Sequence, residues 1–234
     1  MFDCTRPPRG VCAWAIRRPS WGFLDSGPWN CRFLRLLSVH RQTILAYDLG
    51  AEHWAESRYK NPDGVKAVKD AASAFRHRVG DGLILDVGCG PGRLLEALGR
   101  PSVGLDASMA MLKIGGEEGA GPLLAADAEA MAVATAAAEG CFANFSLQHL
   151  PRRGFAGALA EIHRVLHPGG LLYVAMHRGD VDDGPRVDDD MPLGRWFTYW
   201  EPAELAAVLS DAGFDIIHAD NTRGSQRVTA ARHT

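Results

Sequence analysis

The sequence predicts an α/β domain built on a mostly parallel sheet covered by helices on both faces. Three observations carry that prediction. Short apolar runs alternate with helical patterns from Leu83 onward. The runs are near-continuously apolar, as strands buried on both faces are. The first run ends in glycines at alternate positions, Ile84 to Gly92 reading ILDVGCGPG, which marks a strand running into a tight turn.

The elements follow in order. Residues 1–45 read as a poorly ordered basic extension, with Arg6, Arg9, Arg17, Arg18, Arg32, Arg35 and Arg41 against only Asp3 and Asp25, and with no sustained period. They lack the apolar stretch of a secretory signal, although an Arg-rich, acid-poor composition is also that of a transit peptide. The folded domain spans 46–234 and opens with a short helix from Tyr47 to Ser57. Asn61 as N-cap and Pro62 at the first position start a second helix carrying Val65, Val68, Ala72, Phe75 and Val79 on one face. Gly80-Asp81-Gly82 stops it and feeds the strand Leu83–Asp86. Arg93, Leu94, Leu95 and Leu98 then stand at helical spacing over the glycine turn.

Val103–Asp106, Leu123–Ala126, Cys141–Phe145 and Leu171–Met176 read as further strands. A helix from Ser108, a helical alanine-rich link over 128–138 and a helix from Pro151 to Leu166 separate them. Beyond them lie an acidic loop from Arg178 to Arg195, an aromatic cluster Trp196 to Trp200, a helix Pro202–Ala212 closed by Gly213, and two closing strands, Phe214–Ala219 and Arg227–Ala231. No internal repeat is visible.

Composition bounds the function. A chain of 234 residues with 47% apolar content suits one domain with a sizeable core, and a formal charge of −3 argues against sequence-independent nucleic-acid binding. No stretch approaches the roughly 20 apolar residues that span a membrane. The five cysteines form no C-x-x-C pair, so neither a disulfide framework nor a metal site is expected, and a reducing cytoplasm fits.

A strand, a glycine turn and a helix N-terminus together make a nucleotide-type cofactor site. The dinucleotide fingerprint G-x-G-x-x-G fails here, because Arg93 stands where its third glycine should. The pattern is instead D-x-G-x-G-x-G from Asp86 to Gly92. With it come Asp106, 18 residues after Gly88, then Asp127, the segment Ser146-Leu147-Gln148-His149-Leu150-Pro151, and the turn Leu166-His167-Pro168-Gly169-Gly170. In order and spacing these resemble the motifs of class I S-adenosylmethionine-dependent methyltransferases of small-molecule type. The resemblance covers Tyr47 to the C-terminus.

The resemblance implies a Rossmann-like, doubly wound, seven-stranded sheet with one antiparallel strand near its edge. It implies S-adenosylmethionine as cofactor and transfer of its methyl group to O, N, S or C of a small molecule. Asp86, Gly88, Cys89, Gly90 and Gly92 would hold the amino-acid end, Asp106 the ribose, Ala107 and Met111 the adenine face, and Asp127 with Ala128 the adenine edge. Asn144 and Phe145 end the fourth strand, at the edge where open α/β sheets bind ligands. Gly140 stands where family members often carry an acid, so no catalytic role transfers to that position.

No catalytic base is assigned. His149 and His177 are candidates because imidazole titrates near neutral pH, and packed structural histidines are the competing reading. The loop Arg178 to Trp200 and the helix Tyr47–Ser57 are expected to cap the substrate pocket. The acidic loop reads as a cation site, a lid or a solvated run. A nicotinamide-dependent oxidoreductase and a non-catalytic cofactor-binding or partner protein are the alternatives. The sequence leaves oligomeric state open.

Overall fold

The computed structural model describes residues 38–57, 60–179, 182–187, 191–222 and 224–234. Six helices and nine strands are seen among them. In chain order these are α1 (Val39–Ser57), α2 (Pro62–Val79), β1 (Ile84–Val87), α3 (Leu95–Leu98), β2 (Ser102–Asp106), α4 (Met109–Glu118), β3 (Leu123–Ala125), β4 (Ala138–Asn144), α5 (Arg152–Val165), β5 (Leu166–His177), β6 (Gly184–Arg186), β7 (Arg195–Phe197), α6 (Pro202–Asp211), β8 (Phe214–Asn221) and β9 (Ser225–Arg232).

Seven strands form one sheet in the order β3-β2-β1-β4-β5-β9-β8. The pairs among β1 to β5 are parallel, and β9 runs antiparallel to both β5 and β8. The doubly wound fold with a single antiparallel strand near the edge is thus as expected. The order reverses between β1 and β4, and the carboxyl edge of the sheet opens at such a point. All four residues of β1 are buried, the three apolar ones and the acid Asp86 alike. One core face joins the sheet to Phe155, Leu159, Ile162, Leu205 and Leu209. The other joins it to Ala72, Phe75, Leu94, Leu95 and Leu98, with Phe142 stacked on Tyr173 at 4.4 Å.

Local signals place several boundaries. The Asn61 side chain accepts from Gly64 N at 3.3 Å at the start of α2. Ser108 caps α4 by accepting from Met111 N, and Gly213 with φ +86° follows α6.

Four expectations need correction. The first helix begins at Val39, eight residues before Tyr47, so the last part of the expected extension belongs to the domain. Residues 1–37 lie outside the described residues. The helix over the glycine turn is a single turn, Leu95–Leu98, ended by Gly99 at φ +65°. The alanine-rich link is not helical. The end of α5 claims its backbone: Ala136 N and Ala137 N donate to the carbonyls of Arg164 and Val165, while the Arg164 guanidinium donates to Met131 O and Val133 O. Ala136 sits at φ +50°, so tertiary contacts override alanine's helix propensity. Finally, the acidic loop contains a small antiparallel pair, Gly184–Arg186 with Arg195–Phe197. Asp180, Asp188, Asp189 and Asp190 lie outside the described residues.

A chain starting at Ser38 is expected to keep the full-length protein's melting temperature within about 2 °C, since α1 and its contacts are retained. Thermal unfolding followed by circular dichroism checks this, and a larger fall would mean that residues 1–37 pack on the domain.

Candidate functional site

A cavity of about 640 Å³ opens at the reversal of strand order, between the carboxyl ends of β1, β2 and β4 and the helix α1. The glycine turn forms its floor. Gly88 N and Cys89 N donate to Leu105 O at 2.7 and 3.0 Å, and Gly90 N donates to Asp106 Oδ2 at 2.7 Å. Gly88 and Gly90 have φ +72° and +56°, in the left-handed region that favours glycine. A Cβ on Gly88 would lie 2.3 Å from the Ser146 Cβ, so this glycine lets the end of β4 close on β1. A Cβ on Gly90 would meet only the Trp54 ring of α1, in van der Waals contact at 3.5 Å.

Two carboxyls stand at this end. Asp86 is buried, and its Oδ2 has no hydrogen-bond partner among the described residues. Burial, helped by the charge of Asp106, pushes its pKa up to about 8. Asp106 accepts from Ser108 N through Oδ1 and from Gly90 N through Oδ2. Burial raises its pKa as well, against the pull of those two backbone donors.

The cavity wall includes Asp86, Gly88, Cys89, Gly90, Asp106, Ala107, Met111, Ala128, Asn144 and Phe145. Two expected residues are elsewhere. Gly92 does not line the cavity: a Cβ there would strike Leu123 at 2.9 Å and Ala120 at 3.2 Å, so it serves close packing behind the turn. Asp127 also does not line it. Its Oδ2 accepts from His40 Nε2 at 2.9 Å and its Oδ1 from Glu129 N at 2.9 Å. The hydrogen bond from His40 holds its carboxyl below the usual range. Residues 127–130 turn back on themselves and carry the acid towards α1, leaving Ala126, Ala128 and Met131 as the apolar wall.

Helix α1 roofs the site and is clamped to it. Asp48 Oδ1 accepts from Ser108 Oγ at 2.6 Å and from Ala110 N at 3.1 Å, a carboxylate at the N-terminus of α4. Thr43 Oγ1 accepts from Trp196 N, tying α1 to β7. Arg93 donates to Ala55 O at 2.6 Å and to Glu118 Oε2 at 2.7 Å, so the residue that breaks the dinucleotide fingerprint anchors the far end of α1.

Both candidate histidines line the cavity. His149 is buried, with Nδ1 2.8 Å from Trp196 O and Nε2 2.8 Å from Tyr47 Oη. Arg195 Nη1 donates to the same Tyr47 oxygen at 2.9 Å. The His177 ring lies against Phe145 at 5.1 Å and Phe197 at 6.2 Å. Sequence reasoning missed His40, Arg195 and Arg227, which also line the cavity. His40 pairs with Asp127 and Arg195 with Tyr47, far off in sequence, while Arg227 pairs with Asp220 across the β8–β9 hairpin, and no local spacing marks any of them as cavity residues. The described acids of the long loop do not line it. Asp183 is held by Arg152 Nε and by Tyr199 N.

Residues 85–174 match the family described as "Methyltransferase domain". That stretch of the chain is thus similar to a methyltransferase domain. The match runs from β1 into β5 and so contains the glycine turn, Asp106, Asn144 and His149, but not α1, β6 or β7. Among solved structures, DhpI in complex with SAH is 20% identical, with 83% of this chain and 97% of that one covered and a TM-score of 0.67. A Burkholderia thailandensis 1,6-didemethyltoxoflavin-N1-methyltransferase, with 1,6-didemethyltoxoflavin and S-adenosylhomocysteine bound, is 20% identical over 90% of this chain and 92% of that one, with a TM-score of 0.60. The cyclase SpnF is 20% identical over 72% and 80%, with a TM-score of 0.59. At such identities the likeness is one of fold. A sequence search of curated proteins finds no match. The matched family is one of methyltransferase domains, and none of these findings supports the oxidoreductase alternative.

Proposed function

We propose that the protein transfers the methyl group of S-adenosylmethionine to a nucleophile on a small molecule bound between the glycine turn and α1, in a reducing cytoplasm. The observation that carries the reading is the buried Asp86 oxygen, without a partner among the described residues, in a cavity wall that Gly90 shares. A buried carboxyl without a partner is costly, and a cationic ligand group beside it removes the cost. The ammonium of the cofactor's amino-acid end is such a group. Asp106, at the end of β2, would accept from the ribose diol. The apolar wall of Ala107, Met111, Ala128 and Met131 suits a base. The cavity volume lies in the range of small-molecule sites. Cys89 and Cys141 are free thiols, which fits a reducing compartment.

The test uses the Asp86 proton. At pH 7 an acid with a pKa near 8 is mostly protonated, and pairing with a cation drives that proton off. Binding of S-adenosylmethionine at pH 7 is therefore expected to release about 0.9 proton per site. Titration calorimetry in buffers of different ionisation enthalpy measures this number. Asp86→Asn is expected to bring it near zero. Wild-type binding with no proton release would remove Asp86 from the cofactor site, and no binding at all would overturn the function. The sign for stability runs the other way. The folded chain holds the Asp86 proton longer than the unfolded chain. This group therefore makes the free protein lose stability as pH rises from about 4 to 8.

A further inference from the structure

We propose that Tyr47 and His149 form a proton relay at the acceptor end of the cavity, and that the acceptor is a phenolic hydroxyl. The proposal rests on the methyl-transfer reading and adds the acceptor's chemistry to it.

The hydrogen-bond directions follow from the partners. Trp196 O is a carbonyl and can only accept, so His149 Nδ1 carries the ring proton. In the neutral ring Nε2 is then an acceptor, and the Tyr47 hydroxyl donates to it. Arg195 Nη1, a donor only, donates to the Tyr47 oxygen from the other side. Tyr47 is thus set to pass its proton to His149 and to have the resulting charge met by a guanidinium. The Arg195 guanidinium also lies over the Tyr47 and Phe197 rings, at 5.3 and 5.4 Å, which fixes it in place. The cavity's other charged or titratable side chains are Arg195 from β7, His177 from β5, Arg227 from β9, His40 from α1, and Asp86, Cys89 and Asp106 at the glycine turn.

The relay stands where an acceptor must lie. Tyr47 is two helical turns before Trp54, its ring 6.1 Å from the indole that faces Gly90. Its other neighbours make a wall of flat rings: His149 packs on Phe197 at 4.6 Å, and His177 packs on Phe197 and Phe145. Aromatic walls suit a planar acceptor.

Acceptor acidity decides the class. A carboxylate is already anionic near neutral pH, and a thiol, ionising near 8.5, needs a base far less than a phenol does. A phenol ionises near 10, as tyrosine does, so the first proton hop, phenol to phenol, is close to balanced. In the reaction the acceptor O–H bond breaks and its proton goes to the Tyr47 oxygen, while the Tyr47 proton moves to His149 Nε2. The acceptor oxygen forms the O–CH3 bond as the S–CH3 bond breaks, and that electron pair stays on sulfur. The products are an aryl methyl ether, S-adenosylhomocysteine and an imidazolium that later yields its proton to water. Tyr47 is the catalytic residue, and His149 acts through it.

The experiment measures release of S-adenosylhomocysteine with para-substituted phenols, benzylamines, thiophenols and benzoates, using the wild type, Tyr47→Phe and His149→Gln, all checked for fold by circular dichroism. Turnover is expected with the phenols. Both variants should lose about 100-fold or more in kcat on 4-methylphenol, with KM for the phenol and Kd for S-adenosylmethionine little changed. The loss should shrink on 4-nitrophenol, which is largely ionised without help. A merely structural role for either residue predicts equal losses on both phenols, and that result overturns the relay. Unchanged kcat, turnover confined to the other acceptor classes, or no phenol turnover by a chain that binds S-adenosylmethionine also overturns the proposal while leaving the cofactor reading standing. Absence of cofactor binding would instead defeat the methyl-transfer reading itself.

Discussion

Gly90→Val is expected to weaken S-adenosylmethionine binding by at least 100-fold, or about 2.7 kcal/mol, while leaving a folded chain. Gly90 sits at φ +56°, and a β-branched residue there carries backbone strain of order 1–2 kcal/mol. The surroundings tolerate the side chain better than the backbone does, since its Cβ would meet nothing nearer than the Trp54 ring at 3.5 Å. The isopropyl group would then stand in the gap between the turn and α1, where the ligand must go. Gly88 is the contrasting position. There a Cβ would lie 2.3 Å from the Ser146 Cβ, within the packing of β1 on β4, so Gly88→Val should lose the fold together with the site. Circular dichroism and calorimetry on both variants separate the two effects. A folded Gly90→Val chain with wild-type affinity would sink the cofactor reading at its centre.

These two glycines also mark how far the sequence could be read. The turn was legible because its cause is local: a buried strand, then alternate residues that need positive φ. The same holds for Asn61 before Pro62, for Ser108 at the start of α4 and for Gly213 after α6, where a side chain or a backbone angle within three residues sets the boundary. Non-local causes were not legible. Helix α1 looked featureless before Tyr47 because its partners lie far along the chain: His40 meets Asp127, Thr43 meets Trp196, and Asp48 meets Ser108. Asp127 follows its strand as the resemblance implies, yet His40 takes up its carboxylate, and no pattern in the sequence couples the two. Gly92 has the positive φ of its neighbours, and only the contacts beyond it show that it faces Leu123 and Ala120. The alanine-rich link has the composition of a helix and the hydrogen bonds of a strap beneath α5. As a sequence position His149 read more readily as a packed structural histidine than as a catalyst. Its value depends on a tyrosine 102 residues earlier and a carbonyl 47 residues later.

Asp106→Ala is expected to weaken S-adenosylmethionine binding by about 1.5–3 kcal/mol, the range for hydrogen bonds to a charged group, or roughly 10- to 150-fold. Two losses combine. The acceptor at the end of β2 disappears, and Gly90 N and Ser108 N lose the carboxylate oxygens that hold the turn and the start of α4. Asp106→Asn separates them, because an amide keeps one acceptor oxygen for a backbone donor but no charge. Its loss should be the smaller. The variant has a second consequence, at Asp86. After burial, the charge of Asp106 is the next cause that raises the Asp86 pKa. Removing it should bring that pKa down from about 8, so the proton released on cofactor binding at pH 7 should fall below the wild-type value. Affinity and proton count together locate the residue. A weaker affinity with a smaller proton release puts Asp106 in contact with the ligand and in electrostatic contact with Asp86. Unchanged affinity would remove Asp106 from the site. Weaker affinity with an unchanged proton count would mean that burial alone sets the Asp86 carboxyl, and that the two acids act on the cofactor independently.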